Sequence, residues 1–373
     1  MFQKGFMIMR VFAAREKGEA APSAGKILIP VLAALLALNM VSLIIAVSVG
    51  QVAIPASLSY RILLHKLMGI TVGDPAALTS GTFMNIVWDI RLPRVLTSML
   101  VGAGLAVCGV IMQASVKNPL ADPYILGVSS GASLGATFAI LIGFGTSSLL
   151  SQVGVSVGAF AGALIASLGV LTLAELSGRA TSVKLVLAGM VINALCNAFS
   201  NFIVYFASNS EGIKSVTFWL MGSLASAKWN KLPMMAIVVS AALLFSLPQS
   251  RILNTMLVGD EAAVTLGVKL SSFRRGYLIV SALVTGVIVS YCGMIGFVGL
   301  IVPHIVRGFT GSDHRKVIPV SIGVGSLFLV WADVIARIVI PKSEVPIGII
   351  TAMIGAPVFI YMLVKRGYGF GKE

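Results

Sequence analysis

The sequence predicts an all-α, polytopic integral membrane protein of about ten transmembrane helices, and three observations carry that prediction. Of 373 residues, 57% are hydrophobic and 11% charged, against about 25% charged in a soluble domain. The apolar residues form continuous runs instead of alternating, which favours helices over a membrane barrel. Ten runs approach the roughly 20 residues that fill a bilayer core: 27–50, 94–116, 124–145, 153–174, 184–207, 232–248, 276–292, 294–309, 317–340 and 346–364. The loops between them are too short for a separate soluble domain. Residues 27–366 therefore read as one transmembrane domain between a basic tail at 1–26 and a short tail at 367–373.

The net charge of +14 would suit a nucleic-acid partner, but the basic residues follow the membrane instead. With an even number of spans both ends share a side, and that side carries 18 of the 27 Lys and Arg, including Lys4, Arg10, Arg15, Lys17 and Lys26. The positive-inside bias places both termini in the cytoplasm, with the first tail beside anionic lipid. The run Ile27–Gly50 is long enough to span, so it reads as a retained first span and not as a signal peptide. Cys108, Cys196 and Cys292 fall in spans without paired spacing, and His65, His304 and His314 are scattered, so neither disulfide nor metal site is expected.

Each element follows in order. Gln51–Asp89 reads as an external interfacial helix and a turn. Trp88-Asp-Ile-Arg91-Leu-Pro-Arg94 opens the second span, where a helix N-terminus disfavours cations. Arg91 and Arg94 therefore need partners: headgroup phosphates, Asp89, or carboxylates of an external protein, which a guanidinium grips with two bonds. Gly102, Gly104 and Gly109 permit close helix approach. Asn118-Pro119 makes a turn, and Asp122 with Pro123 starts the next helix. In the fifth span Asn193, Asn197 and Asn201 share one face. Amides in hydrocarbon are costly unless bonded, so they either tie helices together or line a wet pathway. Trp219 and Trp229 anchor the following external segment.

Pro248–Arg275 is a polar island between apolar runs. Within it Gly259 to Gly267 reads as a short helix: Asp260 and Glu261 suit its N-terminus, and Gly267 suits a left-handed close. Leu257, Ala262 and Leu266 fall on one face. Such a helix either lies in the headgroups or fits a groove on another protein. Further on, Gly293, Gly296 and Gly299 allow tight packing and Pro303 implies a bend. Asp333 and Arg337, four apart, are placed to pair.

Three motifs in one order, Arg91-Leu-Pro-Arg94, Asn118-Pro-Leu-Ala-Asp-Pro123 and Leu126-Gly-Val-Ser-Ser-Gly131, resemble the FecCD permease family, which imports iron chelates, haem and cobalamin. Gly293-Met-Ile-Gly-Phe-Val-Gly299 and Glu344-Val-Pro-Ile-Gly348 extend the likeness, which runs from about Arg91 to Arg366. Glu261-Ala262-Ala263 with Gly267 is similar to the Glu-Ala-Ala…Gly signature of permease subunits of ATP-binding-cassette (ABC) importers.

The resemblance implies a type II importer permease fold with inverted repeats, spans two to five against seven to ten. It also implies a homodimer in a bacterial or archaeal plasma membrane, served by two ATPase subunits and an extracytoplasmic binding protein. It makes Arg91, Arg94 and Arg337 the dock for that binding protein. Leu257, Gly259, Asp260, Glu261, Ala262, Ala263, Leu266 and Gly267 become the coupling segment, and Asn193, Asn197 and Asn201 border the path.

The chain has no phosphate-cradling Gly-x-x-x-x-Gly-Lys-Ser/Thr loop. ATP and magnesium then belong to the partner ATPase, and this chain is expected to be no enzyme and to hold no cofactor or metal. The alternative, an ion-coupled secondary transporter, usually needs acids near mid-membrane, and here Asp333 stands alone toward an outer end. A membrane enzyme would need a cluster of catalytic polar groups, which the spans lack. The cargo among ferric siderophore, haem and cobalamin is left open.

Overall fold

The computed structural model describes residues 24–73, 81–143, 148–176, 181–259, 263, 265, 267 and 270–365. The tail at 367–373 and nearly all of that at 1–26 lie outside them. The described residues form helices and their connections: α1 (Ala24–Ser48), α2 (Ala56–Met68), α3 (Thr82–Val116), α4 (Val128–Phe138), α5 (Ser148–Leu176), α6 (Ser182–Phe206), α7 (Ser210–Leu220), α8 (Leu232–Ser246), α9 (Ser250–Val258), α10 (Leu270–Cys292), α11 (Val298–Thr310), α12 (His314–Ile338) and α13 (Ile347–Lys365). Among the described residues seven helices are long and apolar enough to cross a membrane, and three shorter apolar ones, α4 with its extension to Gly143, α11 and α13, complete one helix for each expected run. The face carrying residues 49–73, 81–91, 207–231 and 339–346 is called distal here, and that carrying 117–127, 247–259, 263, 265, 267 and 311–313 proximal.

The helix of the second span begins earlier than its apolar run suggests. It starts at Thr82 and passes through a π-helical turn, Ile86–Arg91, into Leu92–Val116. The wider turn accommodates Pro93, which lacks an N–H and would crowd the preceding carbonyls of a regular helix. Arg91 and Arg94 therefore stand inside a helix, and the helix-terminus penalty read from the sequence does not apply to them.

α3 is the axis of the molecule, buried on almost every side from Leu92 to Val116. Its glycines let other backbones touch it. A Cβ on Gly102 would stand 2.1 Å from the Gly325 carbonyl of α12, and one on Gly109 would stand 1.9 Å from the Gly299 carbonyl of α11. Such contact replaces hydrophobic driving force, which is weak between helices in lipid. Around α3 lies a core shared with α8 and α10 to α13. A second core joins α4, α5 and α6 to α10. There Gly131 and Gly135 of α4 face Gly162 and Gly158 of α5.

The two four-span blocks echo one another. The second span of each, α4 and α11, is short and is entered from a left-handed residue, Gly127 at φ 73° and Phe297 at φ 70°. Four spans lie between them, so they run in opposite directions. On the distal face the loops are stitched by backbone hydrogen bonds from Ser223 to Cys292, Ile347 to Gly222 and Gly348 to Met221, at 2.7, 3.1 and 3.1 Å.

Candidate functional site

At the distal end the three arginines are gathered, but inward. Arg91, Arg94 and Arg337 are 5%, 5% and 3% exposed. The Arg91 guanidinium donates to the Val47 and Ser48 carbonyls at 3.1 and 2.6 Å and also to that of Val52. Arg337 donates to the carbonyls of Val49 and Ala46 at 2.9 and 3.1 Å. Both wrap the end of α1, where a helix leaves carbonyls without partners. Arg94 bonds Asp333 through Nε at 2.9 Å and Glu344 through Nη1 at 3.0 and 2.8 Å.

The expected pair within α12 is present: Arg337 Nε lies 3.1 Å from Asp333 Oδ2. Its alignment is that of an ion pair and not of a hydrogen bond, since the same Nε donates to the Asp333 carbonyl at 3.3 Å. In this conformation the guanidinium donors serve carbonyls and carboxylates of the chain itself.

Gln51 was not singled out in the sequence, yet it pins the same corner. Its amide donates to the Arg337 and Ser343 carbonyls at 2.6 and 2.9 Å and accepts from Lys342 N at 2.9 Å. Glu344 entered only as part of a motif. Trp229 ties the distal segment 207–231 to α3 through a 2.8 Å bond to the Trp88 carbonyl and ring contact with Trp88 at 5.1 Å.

At the proximal end α9 continues the line of α8 and buries Ser250, Leu253 and Met256, while Leu257 is half-buried. Gly259 then takes φ 132°, a conformation glycine favours. Its carbonyl accepts from Ala263 N at 3.0 Å, which opens a helical turn with Ala263 fully buried and Thr265 exposed. Gly267 closes at φ 80°. Asp260, Glu261, Ala262 and Leu266 lie outside the described residues.

Beside this segment Asp313 caps α12, accepting from Arg315 N at 3.0 Å and from Asn254 Nδ2 at 2.8 Å. Burial pushes the Asp313 carboxyl up. The Asn254 amide, the Arg315 N–H and the Arg315 and Lys316 charges outweigh that and hold it below the usual carboxylate range. Deeper in, Gln113 donates to the Leu300 carbonyl at 3.1 Å and accepts from Arg307. A polar residue amid an apolar run was the available signal for that tie.

The amide stripe falls on α6, most of whose side chains are not buried within the chain. Asn193 is half-buried and Asn197 and Asn201 are exposed. Among the described residues none of the three makes a side-chain hydrogen bond, so they tie no helices together within this chain. Phe199, Phe202 and Tyr205 are exposed on the same helix. A cavity of about 600 Å³ opens on the distal side, lined in part by Ser156, Glu211, Ser215, Trp219, Lys231 and Tyr291. Burial holds the Lys231 ammonium below its ordinary range. Among the described residues no cluster of His, Cys, Asp and Glu has the form of a metal site.

Comparison with known proteins bears on this architecture. The profile of the FecCD transport family matches residues 36–365. The cobalamin import system permease protein BtuC of Halobacterium salinarum is 40% identical over 330 residues, covering 85% of this chain and 86% of its own. The hemin transport system permease protein HmuU of Yersinia pestis is 38% identical over 288 residues, covering 77% and 86%. A solved structure described as an inward-facing metal-chelate type ABC transporter superposes with a TM-score of 0.76 at 30% identity, covering 90% of this chain and 99% of that one. A buried polytopic scaffold, a polar proximal segment and relatives of this length and identity lead to one assignment: the chain belongs to the FecCD transport family and is a membrane permease of the ABC class.

Proposed function

We propose that this chain is the permease subunit of an ATP-driven importer that carries a metal chelate, haem or a cobalamin into the cytoplasm. The observation that carries the reading is the proximal segment. α9 and the described turn residues beyond it, Gly259, Ala263, Thr265 and Gly267, lie beside the buried ends of the spans, where a soluble ATPase could press on them. Relatives named for cobalamin and hemin transport support the cargo class.

In this reading two copies stand side by side with α6 toward the path. An unpartnered row of amides on an otherwise apolar helix suits a polar cargo between two permeases. Two ATPases occupy the proximal, cytoplasmic face and a binding protein the distal one. The binding protein's carboxylates engage Arg94 by exchange with Glu344, whose side chain is 39% exposed. Arg91 and Arg337 hold the corner in shape while that happens.

Reconstitution of the permease with its ATPase and binding protein in lipid vesicles tests this. ATP-dependent accumulation of one among radiolabelled cobalamin, haem and a ferric siderophore is expected, with binding protein required. Accumulation that follows an imposed proton gradient and ignores ATP would move the chain to the secondary-transporter reading.

A further inference from the structure

Asn254 joins two elements that the sequence leaves 60 residues apart. Its oxygen receives two donors from one residue, His314 N at 2.9 Å and His314 Nδ1 at 2.7 Å. An amide oxygen only accepts, so the His314 proton sits on Nδ1 and Nε2 is the acceptor. The Asn254 amide nitrogen donates in turn to Asp313 Oδ1 at 2.8 Å, the oxygen that caps α12. His314 is fully buried, and its Nε2 has no hydrogen-bond partner among the described residues. The ring is thus fixed by the Asn254 contact and by packing.

α12 is suited to carry what this contact delivers. It has 25 residues, roughly 37 Å at 1.5 Å per residue. Midway, Gly325 lies backbone to backbone on Gly102 of α3. At its far end Asp333 is bound by Arg94, which also holds Glu344. One helix therefore has a polar fastening at each face, and the proximal one is shared with the element that leads into the Gly259–Gly267 turn.

We propose that Asn254 is a positioning residue that makes α9 and α12 one mechanical unit. Displacement of the Gly259–Gly267 segment is passed through it to the Arg94–Asp333–Glu344 fastening on the opposite face. The claim rests on the importer reading for its energy source, but the mechanical link is testable without ATP.

Spin labels are placed on cysteines introduced at Lys228 and Ser343 on the distal face, with Cys108, Cys196 and Cys292 replaced by alanine. Their distance distribution is compared in the parent, Asn254→Leu and Asp313→Asn. Leucine keeps volume and removes all three bonds. Asparagine at 313 keeps an oxygen that both caps α12 and accepts from Asn254.

The expected result is that Asn254→Leu, on the opposite face from both labels, shifts or broadens the distal distribution, while Asp313→Asn leaves it as in the parent. In vesicles with the ATPase and binding protein, Asn254→Leu is expected to keep ATP hydrolysis within about twofold and lose about tenfold or more of uptake. A distal distribution unmoved by Asn254→Leu overturns the proposal, as does hydrolysis that falls in step with uptake. If the parent shows no ATP-dependent uptake, the importer reading fails by itself, and the distance measurement still decides the link.

Discussion

Arg94 shows how a single buried charge is made tolerable. It is almost completely enclosed, and its two acids differ in surroundings: Asp333 is wholly buried and Glu344 sits at the rim. Removing one partner of a buried pair costs up to about 3–5 kcal/mol, tempered here because Arg337 stays beside Asp333, whereas an exposed carboxylate contributes about 0–1 kcal/mol. Arg94→Ala is expected to lower the melting temperature of the purified permease sharply, and Glu344→Gln to lower it little. Thermal unfolding followed by thiol labelling of the buried Cys108 reads both. Equal losses in the two variants would mean that Glu344, and not Asp333, bears the charge of Arg94.

Among the elements α3 sets the tolerance of the structure. At Gly109 an added methyl group would meet the Gly299 carbonyl oxygen, which belongs to the α11 backbone and cannot swing aside. Overpacking of this kind costs about 1–3 kcal/mol or more. Gly276 in α10 has nothing within 4 Å of the same methyl position, and alanine there gains about 1 kcal/mol in helix propensity. Gly109→Ala is therefore expected to reduce the folded permease recovered from membranes, and Gly276→Ala to leave it equal or raised. Size-exclusion profiles of a fluorescent fusion measure this, and a monodisperse, full-yield Gly109→Ala would contradict the backbone contact between α3 and α11.

For the whole molecule the exposed helix is as informative as the buried one. α6 shows apolar and aromatic side chains beside Asn197 and Asn201, and amides facing hydrocarbon without partners are costly. If they face a wet path between two copies, Asn197→Leu with Asn201→Leu should cut uptake severalfold while leaving ATP hydrolysis and assembly intact. If they face lipid, the same double variant should raise melting temperature and leave uptake alone. Uptake and unfolding measured on one preparation separate the two outcomes.

The ten apolar runs, the polar island and the glycines that bound its turn were legible in the sequence. The first depends on apolar length and the others on local backbone chemistry, so each is written in consecutive residues. The Asp333–Arg337 pair was legible for the same reason, since four residues bring two side chains onto one helical face. What the arginines bind was not legible. Arg94 finds its acids 239 and 250 residues away, and Arg91 and Arg337 find backbone carbonyls at the end of α1, which no residue type marks.

Nor does the sequence show that α3 continues back through a π-helical turn to Thr82, because polar and apolar residues mix there. Composition and spacing alone determined that this chain is a many-span helical membrane protein, and the resemblance of its motifs pointed to one permease family. Tertiary structure decided which carboxylates and carbonyls its conspicuous cations meet and that Asn254 touches α12, because contacts between residues far apart in sequence are set by which helices pack and at what height.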